Sequence, residues 1–215
     1  MPSPSLNLAP AEPRSKVVPA PQPDIKQRSI TVDAGLRTQL LRHLIEQNGW
    51  RRVLVFVATK HAAEMVADKL RKTGLGAEPL HSQLSQGKRT QVWLDFKAER
   101  LRVVVATEAA VHGLAVSPLP VLVNYDLPRS ALDYRDRLGR SGCAGESGVV
   151  LSFVSADTEA HFNLIEKRQA QKLPREQIAG FEPLQAARTA VPATAGIKGK
   201  RPNKKDKLRA AVARV

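Results

Sequence analysis

Four runs of mostly β-branched residues constrain this chain more than anything else in it: RVLVFVA at 52–58, LRVVVAT at 101–107, VLVNY at 121–125 and GVVLSFV at 148–154. Each is apolar along its length rather than alternating, which is how a strand buried on both faces reads. Between them lie longer amphipathic stretches. Ala63, Val66, Ala67 and Leu70 fall on one helical stripe, and Val92, Trp93 and Phe96 fall on another. This alternation predicts an α/β fold, a mostly parallel sheet with helices on both faces. A further helix over 157–169, carrying Ala160, Phe162, Leu164 and Ile165, is expected to pack on the sheet.

The flanks have a different composition. Residues 1–25 hold seven of the fifteen prolines and read as an extended, disordered leader. From residue 198 to the C-terminus, eight Lys or Arg stand against the single Asp206. The expected division is therefore a leader at 1–25, one folded domain at 26–183 and a disordered basic tail at 184–215. The formal net charge of +14 favours a polyanionic partner, nucleic acid before a membrane surface or a ribosome. One cysteine excludes an internal disulfide. Five scattered histidines without ligand spacing define no metal site. No apolar run is long enough to span a bilayer and no signal peptide is evident, so the expected location is the cytoplasm, away from the membrane.

In parallel α/β sheets ligands sit at the carboxyl ends of the strands. Thr59 and Lys60 follow the first run, and Thr107 and Glu108 close the second. No GxGxxG follows either strand, and GxxxxGK[ST] is absent from the chain. A self-sufficient phosphate cradle is thus missing. The segment YRDRLGRSGCAGESG at 134–148 looks phosphate-facing, with Arg137 and Arg140 among glycines just after an expected helix.

Four blocks, in order, carry a resemblance: VFVATK at 55–60, SQGKRTQVWLDFK at 85–97, VVVATEAAVHGLAV at 103–116 and VNYDLPRSALDYRDRLGRSGCAGESG at 123–148. Together they resemble the C-terminal RecA-like lobe of DEAD-box ATP-dependent RNA helicases, the bacterial RhlE type especially, over roughly residues 28–183. The resemblance implies a three-layer RecA-like fold and a motor split over two lobes, the Walker lysine and DEAD acids belonging to an N-terminal lobe not seen in this sequence. It also implies RNA-backbone contacts at Thr59, Gln86, Arg89 and Thr107. All four are present. On residue chemistry alone, Thr59 and Thr107 read equally well as helix N-caps, and Arg89 as a solvated helix residue.

The ATP side departs from the family. Where relatives read TDxxARGLD, this chain has His112 for the Arg and Ala115 for the last Asp; where they read YxHRIGRxGR, it has Asp136 for the His and Cys143 for the last Arg. Gly113, Arg137 and Arg140 remain as ATP-side candidates, with Arg140 the surviving arginine finger. A finger is worth on the order of 10³ to 10⁵ in rate. Cys143, a short and mostly neutral thiol near pH 7, cannot supply it, and Ala115 cannot bond a ribose hydroxyl. Ser82 and Gln83 also differ from the family's Gly-Asp. Three readings follow: a non-catalytic RNA-binding lobe; a working helicase half completed in trans by a separate N-terminal lobe, with ATP as cofactor only then; or a gene fragment without activity. Glu64, Lys60, Asp157 and Glu159 are expected to be solvated or capping. With two Trp, two Tyr and five Phe there is no stacking platform for reading bases.

Overall fold

The structure, a computed structural model, describes residues 25–112, 114, 119–142 and 148–184. In chain order the elements are β1 (Ile25–Thr31), α1 (Arg37–Gln47), β2 (Val53–Val57), α2 (Lys60–Arg71), β3 (Ala77–Leu80), α3 (Gln86–Lys97) and β4 (Val103–Thr107), followed by α4 (Glu108–Val111), β5 (Val121–Asn124), α5 (Ala131–Leu138), β6 (Gly148–Val154), α6 (Glu159–Gln169) and β7 (Arg175–Glu176). The seven strands form one sheet, ordered β3-β4-β2-β5-β6-β1-β7, with every pairing parallel. The four apolar runs became β2, β4, β5 and β6, which fill the interior of the sheet.

Alternation within those strands divides the core into layers. Val53, Val55 and Val57 of β2 face α1 and α2, meeting Leu40, Leu41, Leu44, Ala63, Val66 and Leu70. Leu54 and Phe56 of the same strand face the other way, toward Val92, Trp93 and Phe96 of α3 and Ala110 and Val111 of α4. A smaller cluster joins Ala131 and Tyr134 of α5 to Phe162 and Ile165 of α6. The result is the three-layer, RecA-like arrangement, with helices on both sides of a buried sheet.

Several expectations need adjustment. Leu164 of α6 is exposed and only Phe162, Ile165 and Glu166 turn inward, so this helix packs by a narrower face than its apolar content suggested. Glu159 is not idle: its carboxylate takes Arg175 at 3.0 Å. Glu64 holds the buried His81 at 2.7 Å. Arg137 lies inside α5 rather than beyond it.

Behind α5 the chain passes very close to the start of β6. A Cβ placed on Gly148 would run into Ser141 Oγ and the Gly142 backbone nitrogen. The backbone there has no room to yield, since Gly142 N–H is bonded to Leu119 O at 3.1 Å and Val149 N–H to Pro120 O at 2.8 Å. Gly148→Ala is expected to cost about 1–3 kcal/mol through overpacking, measured as a lowered urea midpoint with an unchanged slope.

Candidate nucleic-acid interface

Because the strands are parallel, their carboxyl ends and the amino ends of the following helices gather on one edge. Thr59 is the N-cap of α2, its Oγ1 accepting Ala62 N–H at 3.1 Å. Thr107 ends β4 and caps α4 without a side-chain hydrogen bond, leaving its hydroxyl uncommitted among the described residues. The two are brought together: Val57, two residues before Thr59, pairs in register with Thr107 across adjacent strands, which lie about 4.8 Å apart. Gln86 opens α3, and Arg89 one turn on donates to Gln86 Oε1 at 3.2 Å and to Ala110 O of α4 at 3.1 Å. Arg89 is therefore a strut between α3 and α4, not a freely solvated side chain. The four residues named from sequence lie on three neighbouring helix starts along one edge.

Beside them a cleft of about 400 Å³ is lined by residues that include Ala58, Thr107, Glu108, His112, Arg129 and Arg137. Its back wall is a polar network that the sequence did not announce. Arg137 is buried and donates to Glu108 Oε2 at 2.7 Å, Asn124 Oδ1 at 2.9 Å and Asp126 O at 3.1 Å, with its guanidinium 4.4 Å from the centre of the Phe56 ring. Burial pulls this guanidinium below its usual pKa, with Glu108 opposing; an arginine so shifted stays charged. Asn124, fully buried, also donates to Ser152 Oγ at 3.1 Å.

Asp126 is the second node. Its carboxylate accepts Ala58 N–H at 2.8 Å and Arg37 Nη1 at 3.0 Å, and its own N–H donates to Phe56 O at 3.0 Å. Arg37 in turn reaches Ser155 Oγ at 3.0 Å. Asp126 directly follows a predicted strand, so the rule that selected Thr59 and Thr107 would also have selected it; nothing in the pattern signalled Arg37.

The two arginines of the 134–148 segment do different things. Arg137 is enclosed at the carboxyl end of β5. Arg140 lies past the end of α5, its carbonyl accepting Leu119 N–H at 2.9 Å ahead of β5, and its Nε has no hydrogen-bond partner among the described residues. Ala115, Cys143 and Gly113 lie outside the described residues, as do the leader to residue 24 and the tail from residue 185. Among the described residues no cluster of metal-ligating side chains occurs, and no helix is long and apolar enough to cross a membrane.

Residues 36–145 match the helicase conserved C-terminal domain. The chain belongs to that family. Its relatives are DEAD-box RNA helicases: the ATP-dependent RNA helicase RhlB of Pseudomonas syringae pv. tomato is 31% identical over 71% of this chain and 38% of its own length. The E. coli DEAD-box protein SrmB, solved bound to regulator of ribonuclease activity A, superposes with a TM-score of 0.68 at 27% identity, covering 77% of this chain and 98% of that one. S. cerevisiae Dbp5, solved bound to RNA and ADP BeF3, gives a TM-score of 0.64 at 28% identity over 71% of this chain and 41% of that one. This helicase C-terminal domain spans well under half the length of the curated relatives it matches. They place it among DEAD-box C-terminal lobes without assigning it to the RhlE type.

Proposed function

We propose that this helicase C-terminal domain binds single-stranded RNA through its backbone, by the edge that carries Thr59, Gln86, Arg89 and Thr107, and that it does not complete an ATPase site efficiently. The observation carrying the first part is the convergence of those four residues on neighbouring helix starts, with Thr59 and the Gln86 amide exposed and the Thr107 hydroxyl uncommitted among the described residues. Such donors suit phosphate oxygens and carry no base information. Arg89, fixed by Ala110 O and Gln86, would add a positioned charge. The Dbp5 relative was solved with RNA, which supports the same reading.

The second part rests on side-chain chemistry. Where relatives carry two finger arginines, this chain has Arg140 and Cys143, and Asp136 adds negative charge nearby. Contacts to one transition state act together, so losing several costs more than losing one. Arg140, whose buried Nε has no hydrogen-bond partner among the described residues, favours, as a second reading, a helicase half completed in trans by a separate N-terminal lobe, with ATP held between the two. Its test is direct. An isolated N-terminal lobe from a DEAD-box relative is assayed for RNA-stimulated ATP turnover with and without this chain; no increase is expected, and an increase abolished by Arg140→Ala would establish the second reading instead.

RNA binding is tested by fluorescence anisotropy of a short oligouridine, using the chain ended after Leu184 so that the basic tail cannot contribute. Arg89→Ala is expected to weaken binding about tenfold, the loss of roughly 1.4 kcal/mol, and to reduce the salt slope by about 0.7. Equal binding by both proteins at every salt concentration would remove Arg89 from the interface.

A further inference from the structure

We infer that Asp126 is a positioning residue for the RNA edge: it sets where Thr59 stands by holding the preceding Ala58 amide. This rests on the RNA-binding reading given above. Past Val57 the β2 ladder has ended and the exposed Ala58–Thr59 link has no strand partner in register. What fixes it from the side is the Asp126 carboxylate, which accepts Ala58 N–H at 2.8 Å. From Thr59 onward α2 begins, with the Thr59 side chain turned to Ala62 N–H.

Asp126 can do this because it is itself anchored on all sides. Its N–H is tied to Phe56 O at 3.0 Å, its carbonyl takes Arg137 at 3.1 Å, and its other carboxylate oxygen takes Arg37 at 3.0 Å. Arg37 is itself buried, its remaining Nη bonded to Ser155 Oγ beyond β6. The Ala58 amide is thereby referred to α1, β5, α5 and β6 at once. A carboxylate is the side chain this requires, since two donors converge on it and both must meet acceptors. Asparagine has the same shape but one acceptor and one donor, so it would leave either Ala58 N–H or the Arg37 guanidinium facing an N–H.

The test is a double-mutant cycle on the full chain, with oligouridine affinity read by anisotropy at salt high enough to suppress the basic tail. Thr59→Ala, Asp126→Asn and the double variant are compared with wild type, each first shown to melt cooperatively. Each single change is expected to weaken binding about tenfold, the effect of losing one charge-assisted contact, and the double change no more than the larger single one. The Ala58 amide should also exchange with solvent at least about tenfold faster in Asp126→Asn, because its partner is lost. Additive losses would place the action of Asp126 elsewhere and overturn the inference, as would wild-type binding by Asp126→Asn while Thr59→Ala is impaired. If Thr59→Ala binds like wild type, the RNA role of Thr59 fails, and the positioning role falls with it. Should Asp126→Asn not fold, Arg37→Gln replaces it in the cycle: the carboxylate then keeps Ala58 but loses its anchor, with an expected loss of about threefold and the same non-additivity with Thr59→Ala. Additivity in that cycle overturns the inference too.

Discussion

Replacing Arg137 with alanine is expected to lower the unfolding free energy of the domain by about 1–3 kcal/mol, the cost of leaving a buried polar group without its partner. The side chain is 6% exposed, and its loss leaves the buried Asn124 carbonyl without its donor, while the half-exposed Glu108 carboxylate and the Asp126 carbonyl turn to water. The contact with the Phe56 ring goes as well, so packing and polar terms add in the same direction. Arg137→Lys should recover part of the loss. Its single ammonium can meet Glu108 but cannot serve three acceptors with the geometry of a guanidinium fork. Arg140→Ala, three residues on, should change stability by less than about 1 kcal/mol, since the half-buried Arg140 guanidinium makes no ion pair among the described residues to lose. Chemical denaturation of the three variants at neutral pH separates the two arginines that the sequence presented as a pair.

Arg175→Ala should produce a larger loss, about 3–5 kcal/mol at neutral pH, because the acid it leaves behind is buried, and the loss should depend on pH. Arg175 bonds Glu166 at 2.7 Å and Glu159 at 3.0 Å and lies 4.8 Å from the centre of the Phe162 ring. Glu166 is buried, and also accepts Leu173 N–H at 2.9 Å. Burial alone would raise its pKa; the Arg175 hydrogen bonds and the Leu173 amide outweigh that and hold the carboxyl below the ordinary glutamate range. Its folded pKa is thus depressed, so the stability it contributes is fully present above the unfolded value near 4.3 and is lost as pH falls through the lower folded value. In the variant the cation is gone and burial dominates, so the carboxyl should titrate above the ordinary range. The destabilisation by Arg175→Ala should therefore be largest near neutrality, shrink as the pH falls through the variant's raised Glu166 pKa, and be smallest once the pH is below the depressed wild-type value, where protonated Glu166 no longer needs a cation in either protein. Urea midpoints of both proteins measured across that interval decide it; a difference that does not vary with pH would mean that packing on Phe162, not the charge, is what Arg175 contributes.

The strands that could be read from sequence are those that must be apolar on both faces. β1 has Lys26, Gln27 and Arg28 in it, β3 is four residues with Pro79 among them, and β7 is only Arg175–Glu176. β3 and β7 are the two edge strands, where one side of the backbone has no strand to bond and a proline is tolerated, and β1 lies next to the edge, paired with β7 over only two residues. Their positions follow from pairing with distant partners, which no local pattern records. Thr59 and Thr107 could be picked out because they stand at strand ends, and Gln86 and Arg89 because they stand in register with a known family. The roles of Asp126, Glu108 and Arg37 could not be read even where their positions could, because those roles are hydrogen bonds between segments up to 118 positions apart in sequence. Glu159 shows the same limit: read as a capping or solvated acid, it is half of a clamp on Arg175.

The place of β1 has a consequence for how the chain reaches this state. Ile25 pairs with Gly148 and Thr31 with Val154, so β1 finds its longest partner only after most of the domain has been made. With synthesis at about 5–20 residues per second, β1 waits roughly 6 to 25 seconds, and the β2-β4-β5 centre has time to assemble without it. Pairings of such high sequence separation are slow to form because loop closure must come first. The last event in folding is then expected to be the capture of the amino-terminal strand between β6 and β7, which makes the two ends of the domain, rather than its centre, the region that decides whether a newly made chain is completed or removed.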